Sequence, residues 1–240
     1  WWAKDFIELG LNLSLWPKAR QVLRQRALDL VFHRAGIYDF VGTQLARIAE
    51  CPLIVHLDAP FAVERAFRHE GHFFSLHRRC MHRLGQMAQL VVAVSAASKE
   101  HYVELGMPAE KMLVVPNGIS SRLLERGAEL ARLYPPLSNP QSCTIGFVGS
   151  LSRWHRVDLL LEALSLLRRE EKRCWHLQIV GYGEEYAKLR RLLQALKLDE
   201  CVGWLGPLPH ELAFEQIARF DIAVLPHTLP TGAPLKLFEY

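Results

Sequence analysis

The segment CTIGFVGSLSRWHRVDLLLEAL, residues 143–164, joins a short apolar run to a stretch with helical periodicity. The run at 143–148 predicts a buried strand, and the apolar spacing over 157–169 predicts a helix with one buried face. A second apolar run, HLQIV at 176–180, follows that helix. Because strands that alternate with helices build parallel sheets, this segment predicts an α/β fold.

The same alternation extends in both directions along the chain. Strands are predicted at 28–33, 52–57, 90–94, 112–115, 202–205 and 221–225, with helices between them. Between residues 119 and 142 the pattern weakens and prolines cluster, which is typical of a linker. We therefore predict two domains: a partial first domain with its linker over residues 1–140, and a partial second domain over residues 141–240.

Composition excludes several classes of protein. Half of the 240 residues are apolar and 22 % are charged, which provides enough apolar material for two modest cores and argues against disorder. The net charge of +4 suits an anionic ligand or an anionic membrane surface. It is too weak to indicate nucleic acid, so we expect no nucleic-acid partner.

Cysteine usage and hydropathy indicate the cellular compartment in which the protein resides. The five cysteines are far apart and form no C-x-x-C pair, which argues against a disulfide framework or a zinc knuckle and favours a reducing compartment. No apolar run approaches the roughly 20 residues that span a bilayer. We expect a cytoplasmic protein, with peripheral contact at the inner membrane face as an alternative.

Both ends of the sequence look cut. Residue 1 is Trp, and the last apolar stripe, which includes Leu237 and Tyr240, stops within its first turns. The sequence thus predicts a chain that lacks the start of its first domain and the end of its second. We expect these 240 residues alone to be catalytically inert.

Glycine-bearing loops follow the predicted strands of the second domain. In open parallel sheets, ligands bind where the strands end and helices begin. The loops there span residues 149–156, 181–183, 205–207 and 227–236. Glycines let backbone N–H groups approach a ligand, and basic side chains supply positive charge. This combination favours a diphosphate site.

Four ordered segments carry a resemblance to a known family. They are IGFVGSLSRWHRVDLLLEAL (145–164), LQIVGYGEE (177–185), CVGWLGPLPHELAFEQIARFDIAVLPH (201–227) and APLKLFEY (233–240). In this order they resemble the second domain of family 4 glycosyltransferases. The upstream segments LDLVFHRAGIYDF (28–40), PLIVHLDAP (52–60) and VVAVSAASKEHYVELGMPAEKMLVVPNGI (91–119) resemble the first domain.

This resemblance implies a fold, a reaction and a set of ligands. The fold would be two Rossmann-like domains with parallel sheets facing a cleft, the GT-B type. The protein would transfer a hexose with retention from a nucleotide-diphosphate sugar to a glycan or lipid-linked acceptor. The family usually needs no metal, and we expect no cofactor beyond the donor sugar nucleotide.

By the same resemblance, Glu239 matches the glutamate that hydrogen-bonds the nucleotide ribose, and the backbone of Ala233–Lys236 would face the diphosphate. The expected donor-binding residues are Gly149, Ser150, Arg153, His155, Gly181, Gly183, Leu205, Pro234, Leu235, Lys236 and Glu239. The chain departs from the family pattern at three positions. Thr231 replaces a glutamate that touches the sugar, Ser150 replaces an arginine, and His155 replaces a lysine. The phosphate charge would then fall to Arg153, His155, Arg156 or Lys236, with His155 pairing best when protonated.

On the acceptor side, His56 and Asp58 end the strand PLIVHLD. Asp58 could orient or deprotonate an acceptor hydroxyl. The alternative is that Asp58 caps the helix that begins near Pro60, and that His56 is a core histidine. Ser95 also follows a strand, but its context lacks the glycines of a nucleophile elbow and favours a helix N-cap.

The predicted helix at 61–84 has an apolar face and a basic face. A core-packed helix with a solvated basic face is the simpler interpretation, and contact with anionic lipid is the other. Its segment His69-Glu70-Gly71-His72 has the wrong spacing for a metal site, so we expect no metal there.

Two further functions fit the same pattern. One is a sugar-nucleotide epimerase or a phosphorylase of the same fold. The other is a non-catalytic module that binds nucleotide sugars, which the departures at Thr231, Ser150 and His155 favour.

Overall fold

A computed structural model of the chain describes residues 3–67, 73–135, 141–170 and 173–240. The chain forms two compact units. The first contains Trp1–Asn117 and Leu229–Ala233, and the second contains Gly118–Thr228 and Pro234–Tyr240. Each unit has a parallel sheet with helices, so the predicted α/β class with two parallel sheets is confirmed.

The first unit has a four-stranded sheet with the order β1-β2-β3-β4. Its strands are β1 (Val31–Arg34), β2 (Leu53–Leu57), β3 (Leu90–Ala93) and β4 (Met112–Val114). Its helices are α1 (Ala3–Gln25), α2 (Val41–Ala49), α3 (Phe61–Phe67), α4 (Phe74–Met87) and α5 (Ala96–Glu104).

The alternating side chains of these strands build the first core. Val55 and Leu57 of β2 and Val91 of β3 are almost fully buried, and Met81 and Leu84 of α4 pack in the same cluster. Because successive strand side chains point to opposite faces, this spacing places one face of the sheet against the helix.

The long helix predicted at 61–84 differs in the structure. Helix α3 ends at Phe67, and α4 begins after Phe73, whose ψ of 77° is not helical. The segment His69-Glu70-Gly71-His72 lies outside the described residues. The predicted apolar and basic faces are present in α4, because Met81 and Leu84 are buried while Arg79 and Arg83 are exposed.

The second unit has a four-stranded sheet with the order β7-β6-β5-β8. Its strands are β5 (Ser142–Val148), β6 (Cys174–Val180), β7 (Val202–Gly206) and β8 (Ile222–Ala223). Its helices are α6 (Ser121–Leu133), α7 (Val157–Glu170), α8 (Tyr186–Ala195), α9 (His210–Ile217) and α10 (Lys236–Glu239). The strand order reverses at β5, and in open parallel sheets ligands bind in the crevice at the carboxyl end of such a strand.

Helix α6 occupies the region that the sequence predicted to be a linker. Ser120 caps it by accepting a hydrogen bond from the Leu123 N–H at 3.4 Å. Leu130 is 2 % exposed and packs in one cluster with Phe214 and Ile217 of α9. The unit boundary therefore falls after Asn117, ahead of the predicted boundary at residue 140, because Leu130 of α6 is buried within the second unit.

Within the described residues, no helix combines the length and apolar character needed to span a membrane.

Candidate functional site

Three loops of the second unit are joined at the carboxyl ends of β5, β6 and β7. The N–H of Gly149, which follows β5, donates to Val180 O at 2.9 Å. The N–H of Gly181, which follows β6, donates to Gly206 O at 2.8 Å. The Leu151 N–H donates to Tyr182 O at 3.2 Å. These bonds continue the hydrogen-bond ladder of the sheet past the strand ends and hold the three loops together at the carboxyl end of β5.

Gly181 has no room for a side chain. Its φ of +129° lies in a region that L residues rarely adopt, and a Cβ there would lie 2.0 Å from the Gly149 carbonyl oxygen. Gly183 also lies close to the backbone of Leu151, since a Cβ would lie 2.7 Å from Leu151 N. The two loops thus touch backbone to backbone, as the glycine pattern in the sequence suggests.

Lys236, the first residue of α10, brings a positive charge to the end of β5. Its ammonium lies 5.0 Å from the centroid of the Phe147 ring. A Cβ on Gly149 would lie 2.3 Å from Lys236 Nζ, so the ammonium rests directly against this glycine. Burial lowers the pKa of Lys236 to about 8, and the charge of Glu239 opposes the shift. Lys236 is therefore mostly protonated at neutral pH.

His155 holds the other side of that ammonium. The residue ends the short turn Arg153–His155 and is 8 % exposed. Its Nε2 lies 2.9 Å from Lys236 Nζ, and its Nδ1 lies 2.7 Å from Ser150 O. Since an ammonium only donates and a carbonyl only accepts, Nε2 accepts from Lys236, and Nδ1 carries the ring proton and donates to Ser150.

The charge of the site follows from this arrangement. Burial first and the charge of Lys236 second lower the pKa of His155 to about 4, against the hydrogen bond to Ser150 O. In the free site His155 is thus neutral at pH 7, and the positive charge of the pair is on Lys236. The sequence suggested instead that a protonated His155 would face a phosphate.

The carboxylate of Glu239 lies at the start of α9. Its Oε1 lies 2.9 Å from His210 Nε2, and the His210 ring stacks on Phe214 with centroids 6.4 Å apart. Glu239 is the last residue of the short helix α10 that also carries Lys236. The sequence did not identify His210. Its position at the beginning of a helix that follows β7, at the carboxyl edge of the sheet, is the signal that could have found it.

The other expected donor residues lie around this crevice with different exposures. Arg153 is exposed, and Arg156 pairs through Nε with Asp158 Oδ1 at 3.0 Å, which partly neutralises its charge. Ser150 supplies the carbonyl for His155, and its Oγ accepts from Ser152 Oγ at 3.1 Å. Arg156 is therefore a weaker candidate for phosphate than Lys236.

Leu205 is 41 % exposed near the end of β7. Its neighbour Trp204 packs edge to face on Tyr186, with ring centroids 5.3 Å apart. Pro234 and Leu235 precede α10, where their carbonyl oxygens accept the first hydrogen bonds of that helix. Leu205 and Trp204 thus form an apolar edge on the β7 side.

In the first unit, Asp58 lies beside two basic side chains. Its Oδ2 lies 2.5 Å from Arg34 Nε, and its Oδ1 lies 3.8 Å from His56 Nδ1. The hydrogen bond to Asp58 raises the pKa of Arg34. The Asp58 carboxylate accepts a hydrogen bond from Arg34 Nε, and the capping alternative stays a prediction. Arg34 was missed in the sequence, although it ends β1 at the same sheet edge as His56.

The segment Leu229–Ala233 packs with the first unit. The Ser95 hydroxyl donates to Thr231 O at 3.1 Å, and Asn117 Nδ2 donates to Ala233 O at 2.8 Å. Ser95 also accepts from the Ser98 N–H at 3.0 Å, so the predicted N-cap of α5 is confirmed. Thr231 is 9 % exposed, and its hydroxyl oxygen has no partner among the described residues.

Comparison with known proteins extends this picture. Residues 3–123 match the family model described as Glycosyltransferase Family 4, and residues 142–240 match the model described as Glycosyl transferases group 1. The chain is 26 % identical over 173 residues to the amylovoran biosynthesis glycosyltransferase AmsK of Erwinia amylovora. That match covers 70 % of this chain and 40 % of AmsK.

Solved structures show the same fold. The crystal structure of HepE from Anabaena in complex with UDP matches with a TM-score of 0.69 and 24 % identity, over 89 % of this chain and 57 % of HepE. The lipopolysaccharide outer core galactosyltransferase WaaB matches with a TM-score of 0.62 and 17 % identity, over 98 % of this chain and 59 % of WaaB. The chain thus spans less than two thirds of each of these relatives. With a family model matched over half of its length, the chain belongs to glycosyltransferase family 4.

Proposed function

We propose that the protein transfers a hexose from a nucleotide-diphosphate sugar to a glycan or lipid-linked acceptor, with retention at the anomeric carbon. The crevice at the carboxyl end of β5 is the donor site of this proposal. The observation that carries it is the ammonium of Lys236, which rests on Gly149 where the strand order reverses.

Each side chain of the crevice has a role in this proposal. Lys236 and the backbone N–H groups of Leu235 and Lys236, at the start of α10, bind the diphosphate and stabilise its charge as the sugar departs. Glu239 accepts hydrogen bonds from the ribose hydroxyls, and His210 holds one carboxylate oxygen. Trp204 and Leu205 flank the base. The proposal includes no metal or cofactor, and Lys236 and backbone dipoles offset part of the phosphate charge.

The acceptor belongs to the first unit. Asp58 orients or deprotonates the attacking hydroxyl, and Arg34 and His56 fix its carboxylate. Catalysis rests mainly on positioning and on stabilisation of the leaving diphosphate. The likeness to AmsK supports a polysaccharide acceptor, and the UDP complex of HepE makes UDP the first nucleotide to test.

Calorimetric titration of the purified protein with UDP, GDP, ADP and uridine tests the donor site. We expect one nucleoside diphosphate to bind at least about 100-fold more tightly than uridine, because two or more charge-assisted hydrogen bonds to the diphosphate are lost with the nucleoside. Absence of binding by all three diphosphates to a folded sample would contradict the donor site.

Transfer assays with the matching sugar nucleotide test the reaction. Polysaccharide and lipid-linked acceptors are supplied in separate reactions, and the product anomer is read by NMR. An inverted anomeric centre would contradict retention. Tight nucleotide binding by the full-length protein, without transfer to either class of acceptor, would favour the non-catalytic module.

We also propose peripheral contact with anionic lipid through α4. Arg78, Arg79 and Arg83 are exposed on this helix, and Phe74, at its first turn, is 55 % exposed. A basic face with an exposed aromatic ring suits the surface of a membrane that contains anionic lipid.

Vesicle flotation tests this contact. The double substitution Arg79→Ser and Arg83→Ser should lower recovery with anionic vesicles by about 30-fold in partition coefficient, since each arginine contributes about 1 kcal/mol near such a surface. The control is Arg122→Ser with Arg132→Ser, which removes the same charge from the exposed side of α6. Equal recovery of the unmodified protein with neutral and anionic lipid would contradict a membrane role.

A further inference from the structure

The Lys236 side chain is fixed by groups that have no charge of their own at neutral pH. Its ammonium lies 2.9 Å from His155 Nε2 and 5.0 Å from the Phe147 ring centroid. The Phe147 and His155 rings meet at 62° with centroids 5.8 Å apart. A flexible lysine stem is thereby held in one place against Gly149.

The His155 ring is itself locked. Its Nδ1–H donates to Ser150 O at 2.7 Å, which fixes both the tautomer and the ring plane. Trp154 packs on it with ring centroids 5.8 Å apart. The lone pair of Nε2 is therefore directed at the ammonium before any ligand binds. The Lys236 cation is in this sense preorganised.

The titratable groups around His155 come from two parts of the second unit, α10 and the segment that follows β8. Lys236 and Glu239 lie on α10, and His227 follows β8, with its Nδ1 2.6 Å from Trp154 O. The neighbouring positive charge of Lys236 favours the neutral imidazole over the imidazolium. A neutral ring accepts a hydrogen bond from the ammonium, whereas an imidazolium would repel it.

We propose that His155 is a positioning residue for the donor diphosphate: through Nε2 it holds the Lys236 ammonium over Gly149 at the end of β5. This inference rests on the proposed donor site. The two residues then have different roles: Lys236 carries the positive charge, and His155 holds the ammonium in place.

Two substitutions each remove one of the two hydrogen bonds of His155 and keep the other. His155→Asn keeps an N–H donor near Nδ1 for Ser150 O and loses the acceptor for Lys236. His155→Gln keeps an acceptor near Nε2 and loses the donor. We expect His155→Asn to weaken binding of the nucleoside diphosphate about tenfold, while His155→Gln stays within about threefold of the unmodified protein.

A double-mutant cycle with Lys236→Gln makes the test specific. In the Lys236→Gln background, we expect His155→Asn to cause no further loss, because its effect passes through the ammonium. A full tenfold loss in that background would overturn the inference, since a general structural role would persist there. Equal binding by His155→Asn and the unmodified protein would also overturn it.

The outcomes separate this inference from the proposed function. If the unmodified protein binds no nucleoside diphosphate, the donor site itself fails. If it binds and Lys236→Gln weakens binding while His155→Asn does not, the donor site stands and the role of His155 fails. Melting temperatures of all four variants show whether each one folds. The cycle is then repeated with His155→Gln in place of His155→Asn.

Discussion

Gly181→Ala is expected to lower the melting temperature of the protein by about 10 °C. A Cβ at this position would lie 2.0 Å from the Gly149 carbonyl oxygen, and the backbone φ of +129° is unfavourable for any L residue. The clash is with backbone, so no side chain can rotate away from it. Strain and overpacking together cost about 3 kcal/mol, which corresponds to about 6–12 °C for a chain of this size.

Two other glycines give matched controls for Gly181→Ala. Gly206 has a φ of +67°, but a Cβ there would meet nothing within 4 Å, so Gly206→Ala carries only the left-handed penalty of about 1 kcal/mol. Gly118→Ala meets neither problem and should leave the melting temperature unchanged. Differential scanning calorimetry measures all three. A Gly181→Ala protein as stable as Gly206→Ala would show that the two loops separate readily, contrary to the structure.

Lys236→Gln is expected to weaken binding of the nucleoside diphosphate about 100-fold. Charge-assisted hydrogen bonds contribute about 1.5–3 kcal/mol each, and the lost ammonium lies against the glycine loop of the proposed diphosphate site. Lys188→Gln removes the same charge from an exposed position on α8, where the lysine pairs with Glu185, and should leave the affinity within about twofold.

The pH profile tests the same residue independently. Burial lowers the pKa of Lys236 to about 8 in the free site, and a bound anion raises it again because it favours the charged form. Binding above pH 8 then takes up a proton. The affinity should be level from pH 7 to 8 and should fall by up to about tenfold per unit above pH 8. The profile of Lys236→Gln should be flat over this range. An unmodified protein with a flat profile up to pH 9.5 would show that Lys236 does not contact the diphosphate.

The alternation of apolar runs and helical patterns was sufficient to predict both sheets and the order of their strands along the chain. Helix α6 was missed although six of its 13 residues are apolar, because the prolines clustered at 135–140 favoured a linker over the whole region, and Leu130 is buried only by tertiary contacts that include α9. The single helix predicted at 61–84 was wrong at Phe73, where the backbone leaves the helical region although the apolar spacing continues. Apolar periodicity averaged over many residues does not show which apolar residues of a helix are buried, and it does not show where a helix is interrupted.

In the candidate site, too, some features could be predicted from the sequence and others could not. Glycines at 149, 181 and 183 could be identified from their place after predicted strands, because parallel strands end at one edge of a sheet. The pairing of Arg34 with Asp58 and of His210 with Glu239 could not be predicted, since each contact joins residues more than 20 positions apart.

The sequence by itself determined the α/β class, the glycine loops and the presence of Lys236 in the last segment, because these depend on residue type and local spacing. Only the tertiary structure decided which side chain carries the charge. Packing brings Lys236 within 2.9 Å of His155, 81 positions away along the chain, and buries both. Burial and the neighbouring ammonium then keep the imidazole neutral, an effect that depends on distance and exposure and that no local pattern encodes.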